Sequence, residues 1–261
     1  MENTEGNHVT SLLKSNGSGG YQFLPGIAPY SSGVIAMPGF EIVHAALQTP
    51  LPWHDGLNAA RRYLEGKTLT CRNLCAVELR CPQPYTFEGF IDFNNQYRRL
   101  LNAWEVMVDG LNPVARTNVA PVVDPPRESM LFAFSYSRPS DLSRPTFVVA
   151  GGGELPDGDL AERRIVRVGE TSPDALIEKA ECVAQIMNSR LQGLGGSGEL
   201  LTVLDVYTAH LLRPLLESVL VSRLPAIASR GVHWFYSRPP IVDIEFEMDM
   251  RGVVCEEVVD L

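Results

Sequence analysis

The sequence contains no run approaching the roughly 18 consecutive apolar residues that a bilayer-crossing helix requires. Residues 1–20 are polar, rich in Gly, Ser and Asn, and lack the apolar centre of a secretory signal. The expectation there is a flexible arm, extending to residue 29. Positive charge is also scarce: 22 Lys and Arg against 31 Asp and Glu leave a net charge of −9. That balance argues against nucleic acid or an anionic membrane as partner. The deficit is uneven, with 11 basic and 12 acidic residues over positions 1–140 but 11 and 19 over 141–261. An anionic ligand would therefore need a local arginine. Cysteine is limited to five positions, 71, 75, 81, 182 and 255. An odd number without a signal fits reduced thiols in a cytoplasm. The Cys71/Cys75/Cys81 spacing matches no common zinc pattern, so no metal is expected there. Gly151 to Gly153 is followed by no Lys-Ser/Thr pair and is not a phosphate loop. No Gly-x-Ser-x-Gly elbow occurs.

What is present is a pattern met twice. Arg116 and the pair Pro125-Pro126 recur as Arg230 and Pro239-Pro240, each at an offset of 114 residues. Each copy reads as strand, turn, strand: 114–123 then 129–135, and 230–236 then 241–249. Such an offset in a chain of 261 residues suggests two similar halves, 30–140 and 141–261, joined by a polar, Pro-bounded link at 141–145. The halves differ chemically, because Glu247 falls opposite Ala133.

In the second half, 146–150 is an apolar strand running into the three glycines, and 163–168 alternates as a second strand. Ser172-Pro173-Asp174 opens a helix as N-cap, first helical residue and first-turn acid. A strand over 200–207 and a helix over 210–224 follow, with Pro214 in or near its first turn. The first half supports the same order, with strands at 33–37, 41–47 and 75–80 and helices at 53–64 and 89–106. Each half thus predicts β-β-α-β-α-β-β, an α+β architecture with mostly antiparallel sheets and helices on one face.

These residues resemble the Rid family of reactive-intermediate deaminases, which have a chorismate-mutase-like fold. Ala228-Ser229-Arg230, Pro239-Pro240 and Glu245/Glu247 fit that family's closing strands in the second half. Val114-Ala115-Arg116 and Pro125-Pro126 fit in the first, and Asn94 to Tyr97 resembles its helix motif. The chain departs from the family where Asn118 and Val232 stand at a position often held by cysteine. The resemblance implies a tandem pair of Rid-like halves, a homo-oligomer (a trimer by analogy), no cofactor and a small anionic substrate. It also implies hydrolysis of an enamine or imine carboxylate, and two repeated arginines suit a 2-aminomuconate-type dicarboxylate. A guanidinium grips a carboxylate through paired charge-assisted hydrogen bonds, and a nearby carboxyl manages protons.

Arg230 and Glu247 are the expected catalytic pair, with a cross-strand ion pair as the bland alternative. Arg116, Asn94, Asn118 and His233 are the expected substrate contacts; the alternatives are a role in the fold for Arg116, helix-surface polarity for Asn94 and packing for His233. Asp243, Glu245 and Asp249 are expected to share a strand face with Glu247. His44 and His54 lack ligand spacing and read as packing or surface residues. A chorismatase-like enzyme and a non-enzymatic metabolite binder remain the other two readings of this architecture.

Overall fold

The computed structural model describes residues 13–155 and 163–261. The first five elements are β1 (Lys14–Asn16), β2 (Tyr21–Leu24), β3 (Gly33–Ala36), β4 (Phe40–Pro52) and helix α1 (Trp53–Gly66). Next come β5 (Leu74–Arg80), α2 (Phe87–Ala103), β6 (Ala115–Pro121), β7 (Met130–Pro139), β8 (Phe147–Gly153), α3 (Pro173–Gly193) and β9 (Val203–Thr208). A helical stretch then runs through α4 (Leu212–Leu215), a π-helical turn (Leu216–Leu220) and α5 (Val221–Arg223). The chain closes with α6 (Ile227–Arg230), β10 (His233–Phe235), β11 (Ser237–Arg238), β12 (Phe246–Gly252) and β13 (Cys255–Val259).

Local chemistry sets the helix starts. The Ser172 hydroxyl accepts from the Ala175 N–H with Pro173 as the first helical residue of α3, and Thr86 accepts from the Gly89 N–H at α2. Pro214 sits in the opening turn of its helix, where its missing N–H costs nothing.

The described strands form two sheets, ordered β1-β2-β3-β8-β12-β9-β10 and β11-β6-β5-β7-β4-β13. Helices α1 and α2 cover the six-stranded sheet, burying Leu57, Leu64, Phe93 and Leu101 against Val43, Val77, Leu79 and Phe134. Helix α3 covers the seven-stranded sheet, with Val183, Met187 and Leu191 against Val149, Val206, Met248 and Met250. The opposite faces of the sheets meet through Tyr21, Val34, Ile42, Ala76, Ala115 and Ala150. The α+β expectation with helices on one face of each sheet therefore holds.

The two sheets exchange strands. β3, from the first half of the sequence, pairs with β8 of the second, whereas β13 at the other end of the chain pairs in parallel with β4. A cut at 140/141 crosses both sheets.

Four local expectations are corrected. Residues 14–24, read as part of an arm, form β1 and β2, because Tyr21 and Phe23 bury completely behind a polar turn; residues 1–12 of that arm lie outside the described residues. Residues 163–168 are turns, not a strand, with Arg163 and Arg167 at positive φ and Arg167 held by Glu170 and Glu178. Arg230 ends the short helix α6, and Gly231 at φ 74° turns the chain, so only 233–235 is strand, parallel to β9. Finally, 241–245 is not strand: Asp243 adopts φ 73°, and β12 begins at Phe246. Asp243 and Glu245 thus do not continue the strand face of Glu247.

Candidate active site

A cleft of about 650 Å³, counting its open mouth, lies where β6 of one sheet meets β8 and β12 of the other. Period-two alternation on β12 sends Phe246, Met248 and Met250 into the core with α3, and Glu247, Asp249 and Arg251 to the other face. Glu247 reaches the cleft and is 4% exposed. Its carboxyl occupies the space beside Gly151, where any β-carbon would overlap Oε1. Glycine at 151 is therefore a steric requirement of the site.

Burial pushes the Glu247 carboxyl up to about 8; Arg190 and Arg116 pull it down, and Glu154 pushes it further up. Glu154 itself is fully buried, with its oxygens accepting from the Glu245 and Phe246 N–H groups and from Lys179. It pins the start of β12, and so the backbone that carries Glu247.

Arg116, on β6, donates from Nη2 to the Asn94 Oδ1 at 2.6 Å. Its guanidinium lies 4.7 Å from the Tyr30 ring centre and 4.8 Å from that of Tyr97. Nη1 has no hydrogen-bond partner among the described residues although it is buried. Asn118, two residues along the strand, also lines the cleft, and both atoms of its amide are buried without a hydrogen-bond partner among the described residues. An unmade buried hydrogen bond costs about 1–3 kcal/mol, so these donors and this acceptor mark where a polar ligand would sit. Arg190, from α3, completes the polar wall; its Nη1 donates to the Ala150 and Gly151 carbonyls at 2.8 and 2.9 Å. Tyr30, Phe90, Leu155, Ile241 and Ile244 supply apolar walls.

The structure therefore gathers three of the expected residues, Glu247, Arg116 and Asn118, in one cleft. Asn94 stands behind Arg116 as its hydrogen-bond partner. Arg230 is not brought to Glu247: it lies exposed at the end of α6 and does not line the cleft. His233 is exposed on β10, bonded to Asp205 at 3.0 Å, and Trp234 beside it donates to the Thr208 carbonyl. Asp249 accepts from Thr117 and Tyr207 between the sheets, and Glu245 pairs with His210. His44 is buried beside Glu78, and His54 is exposed. No group of three or more His, Cys, Asp or Glu among the described residues could hold a metal. No described helix is long and apolar enough to cross a membrane.

Sequence reasoning missed Arg190 and Glu154. The signal for Arg190 was available: it falls three residues after Met187 on the buried stripe of α3, where an arginine has no packing reason to be. A run of three glycines permits close approach to the backbone at 151–153 but does not say which side chain makes it.

Fold and cleft together define an α+β protein with a buried carboxyl flanked by guanidinium groups from two different elements. The family model for the 2-aminomuconate deaminase CnbZ matches residues 13–257, and the chain belongs to that family of deaminases, enzymes acting on carbon–nitrogen bonds. A 2-amino-5-chloromuconate deaminase from Comamonas testosteroni is 39% identical over 243 residues, spanning 92% of this chain and 96% of that protein. Among solved structures, a chorismatase is 14% identical with a TM-score of 0.43, covering 85% of this chain and 77% of that one. The YjgF gene product of E. coli is 12% identical with a TM-score of 0.25, covering 42% of this chain and 80% of that one.

Proposed function

We propose that the chain deaminates an enamine or imine carboxylate of the 2-aminomuconate type without a cofactor, in the breakdown of aromatic compounds. The observation carrying this reading is the cleft itself, where unpaired buried donors of Arg116 and Asn118 face a carboxyl that burial holds protonated near neutrality. Arg116 fixes the carboxylate next to the reacting carbon, with Asn94 holding its other side. Protonated Glu247 delivers a proton to the enamine carbon, converting it to the iminium. The carboxylate so formed takes a proton from water as the oxygen bonds to the iminium carbon, and gives it to nitrogen. As the carbon–nitrogen bond breaks and the carbonyl forms, the remaining hydroxyl proton passes to the Glu247 carboxylate and restores its acid form. One water is consumed, one ammonia leaves, and the product is a 2-oxo acid. Proton management of this kind contributes about 10²–10⁴ in rate.

Ammonia release, followed together with the ultraviolet absorbance of freshly generated 2-aminomuconate, tests the reading. Turnover is expected in the wild type and a loss of at least about 100-fold in Glu247→Gln. Arg116→Ala is expected to lose kcat/KM to a similar extent. A wild-type rate no faster than spontaneous decay would end the assignment. We further propose, as expected from the sequence, that the enzyme works in the cytoplasm as a homo-oligomer.

A further inference from the structure

We propose that Glu154, with Lys179 as its counter-ion, is a positioning residue for Glu247, fixing the head of β12 and keeping the Glu247 carboxyl in its acid form; this rests on the deaminase reading, whose chemistry uses that form. The pairing of β8 with β12 ends at Gly153 and Glu247. One residue further on, the chain turns a side chain to β12 in place of its backbone. Glu154 Oε1 accepts from the Glu245 N–H at 2.6 Å, and Oε2 from the Phe246 N–H at 3.0 Å. The two amides immediately before Glu247 are thus held by one carboxylate. Lys179 Nζ, from α3, donates to the same Oε1 at 3.1 Å and to the Val166 carbonyl at 2.8 Å, and both side chains are fully buried. The Glu154 carbonyl accepts from the Val166 N–H in turn. The pair therefore ties β12, α3 and the turn at 163–168 together.

Stability alone does not account for this arrangement, because a buried ion pair is commonly no better than well-packed apolar side chains of its size. A carboxylate only accepts hydrogen bonds, and the donors converging on the two oxygens of Glu154 are the surroundings of an ionised group. Burial pushes the Glu154 carboxyl up, and the Glu245 N–H and Lys179 pull it back. Its negative charge stands at the head of the strand that carries Glu247. Besides burial, Glu247 feels Arg190 from α3, Arg116 from β6 and Arg80 from β5, which favour its carboxylate, and Glu154, which opposes them. The Cys81 thiol, just past β5 and pushed up to about 12 by burial, stays neutral beside it. Left to the guanidinium groups, Glu247 would give up its proton. Burial and the like charge of Glu154 offset them.

The test is a pH titration of the Glu247 carboxyl by carbon-13 NMR in glutamate-labelled protein, the signal being assigned by its loss in Glu247→Gln. In the wild type it is expected to titrate near pH 8. Glu154→Gln, and Glu154→Gln with Lys179→Met to remove both charges, are each expected to lower that midpoint by about one pH unit. The high-pH limb of kcat/KM should move down with it. A purely structural pair would lower activity alike at every pH, so an unmoved midpoint in the double variant would overturn the proposal. A wild-type midpoint in the ordinary carboxylate range would overturn it even if neither variant folds. The NMR titration needs no turnover: an inert wild type whose midpoint still falls in Glu154→Gln would sink the deaminase reading alone.

Discussion

Glu247 is the residue whose chemistry most depends on its surroundings. Its folded pKa of about 8 lies above the ordinary 4.5. Between those values the native state therefore binds a proton that the unfolded chain does not, and the contribution to stability falls as pH rises through that window. Glu247→Gln removes this dependence. Its melting temperature relative to wild type is expected to climb from about pH 5 to about pH 8 and level off above, and a difference that stays flat throughout would contradict the burial argument. Catalysis should follow the same proton. The rate is expected to decline above about pH 8 as the acid form is lost, which a kcat/KM profile reads directly. At this scale the sequence was half legible. Arg116, Asn118 and Glu247 could be found from motif position, because each stands on a strand whose register the motif reports. Arg230 was misleading for a physical reason: a shared offset records sequence spacing, while Gly231 at φ 74° takes the backbone out of the strand that the spacing assumed.

The glycine-rich end of β8 is the element that makes the cleft possible. Gly151 leaves room for the Glu247 carboxyl, and Gly152 for the Arg190 fork. Gly151→Ala is expected to displace the carboxyl and abolish turnover, while circular dichroism and the melting profile show a folded protein. Retained activity would mean that Glu247 works from elsewhere. Helices with chemical punctuation were readable from sequence, as the Ser172 cap and Pro173 show. The strand proposed over 241–249 was not, because its alternation ran unbroken across Asp243. There the chain adopts a left-handed turn and ties Tyr85 to Pro240 and Val242 through backbone hydrogen bonds. Ile241 and Ile244 are used as cleft wall instead of strand.

Across the whole molecule, the two sheets are held by charge as well as apolar contact. Arg251, on β12, donates to Asp205 at 2.6 Å and to Glu256 at 2.8 Å and lies 4.0 Å from Glu78 of the other sheet. Asp205 and Glu78 are largely shielded from water, at 2% and 13% side-chain exposure. Removing the cation with Arg251→Met takes away the guanidinium between them, leaving Asp205 with His233 and Glu78 with Arg80 and His44, and is expected to cost about 3–5 kcal/mol, measurable by urea unfolding. A loss below about 1 kcal/mol would place the network among weak surface pairs. The two-sheet α+β plan was legible because each helix carries its own apolar stripe. The exchange of strands was not, since a strand's sequence states which face it buries and not which neighbour it joins.

That exchange governs the order in which a ribosome can make this protein. β3 emerges early, but its partner β8 follows only after the elements that form most of the other sheet. The six-stranded sheet in turn waits for β13 to cover the edge of β4. Domains usually fold in sequence as they are synthesised; here the opening strands can pair with one another, but the second edge of β3 stays open while the centre of the chain is built. The carboxyl on β12 joins the guanidinium on β6 only when nearly all of the polypeptide is out, so an interrupted translation product never carries an assembled site.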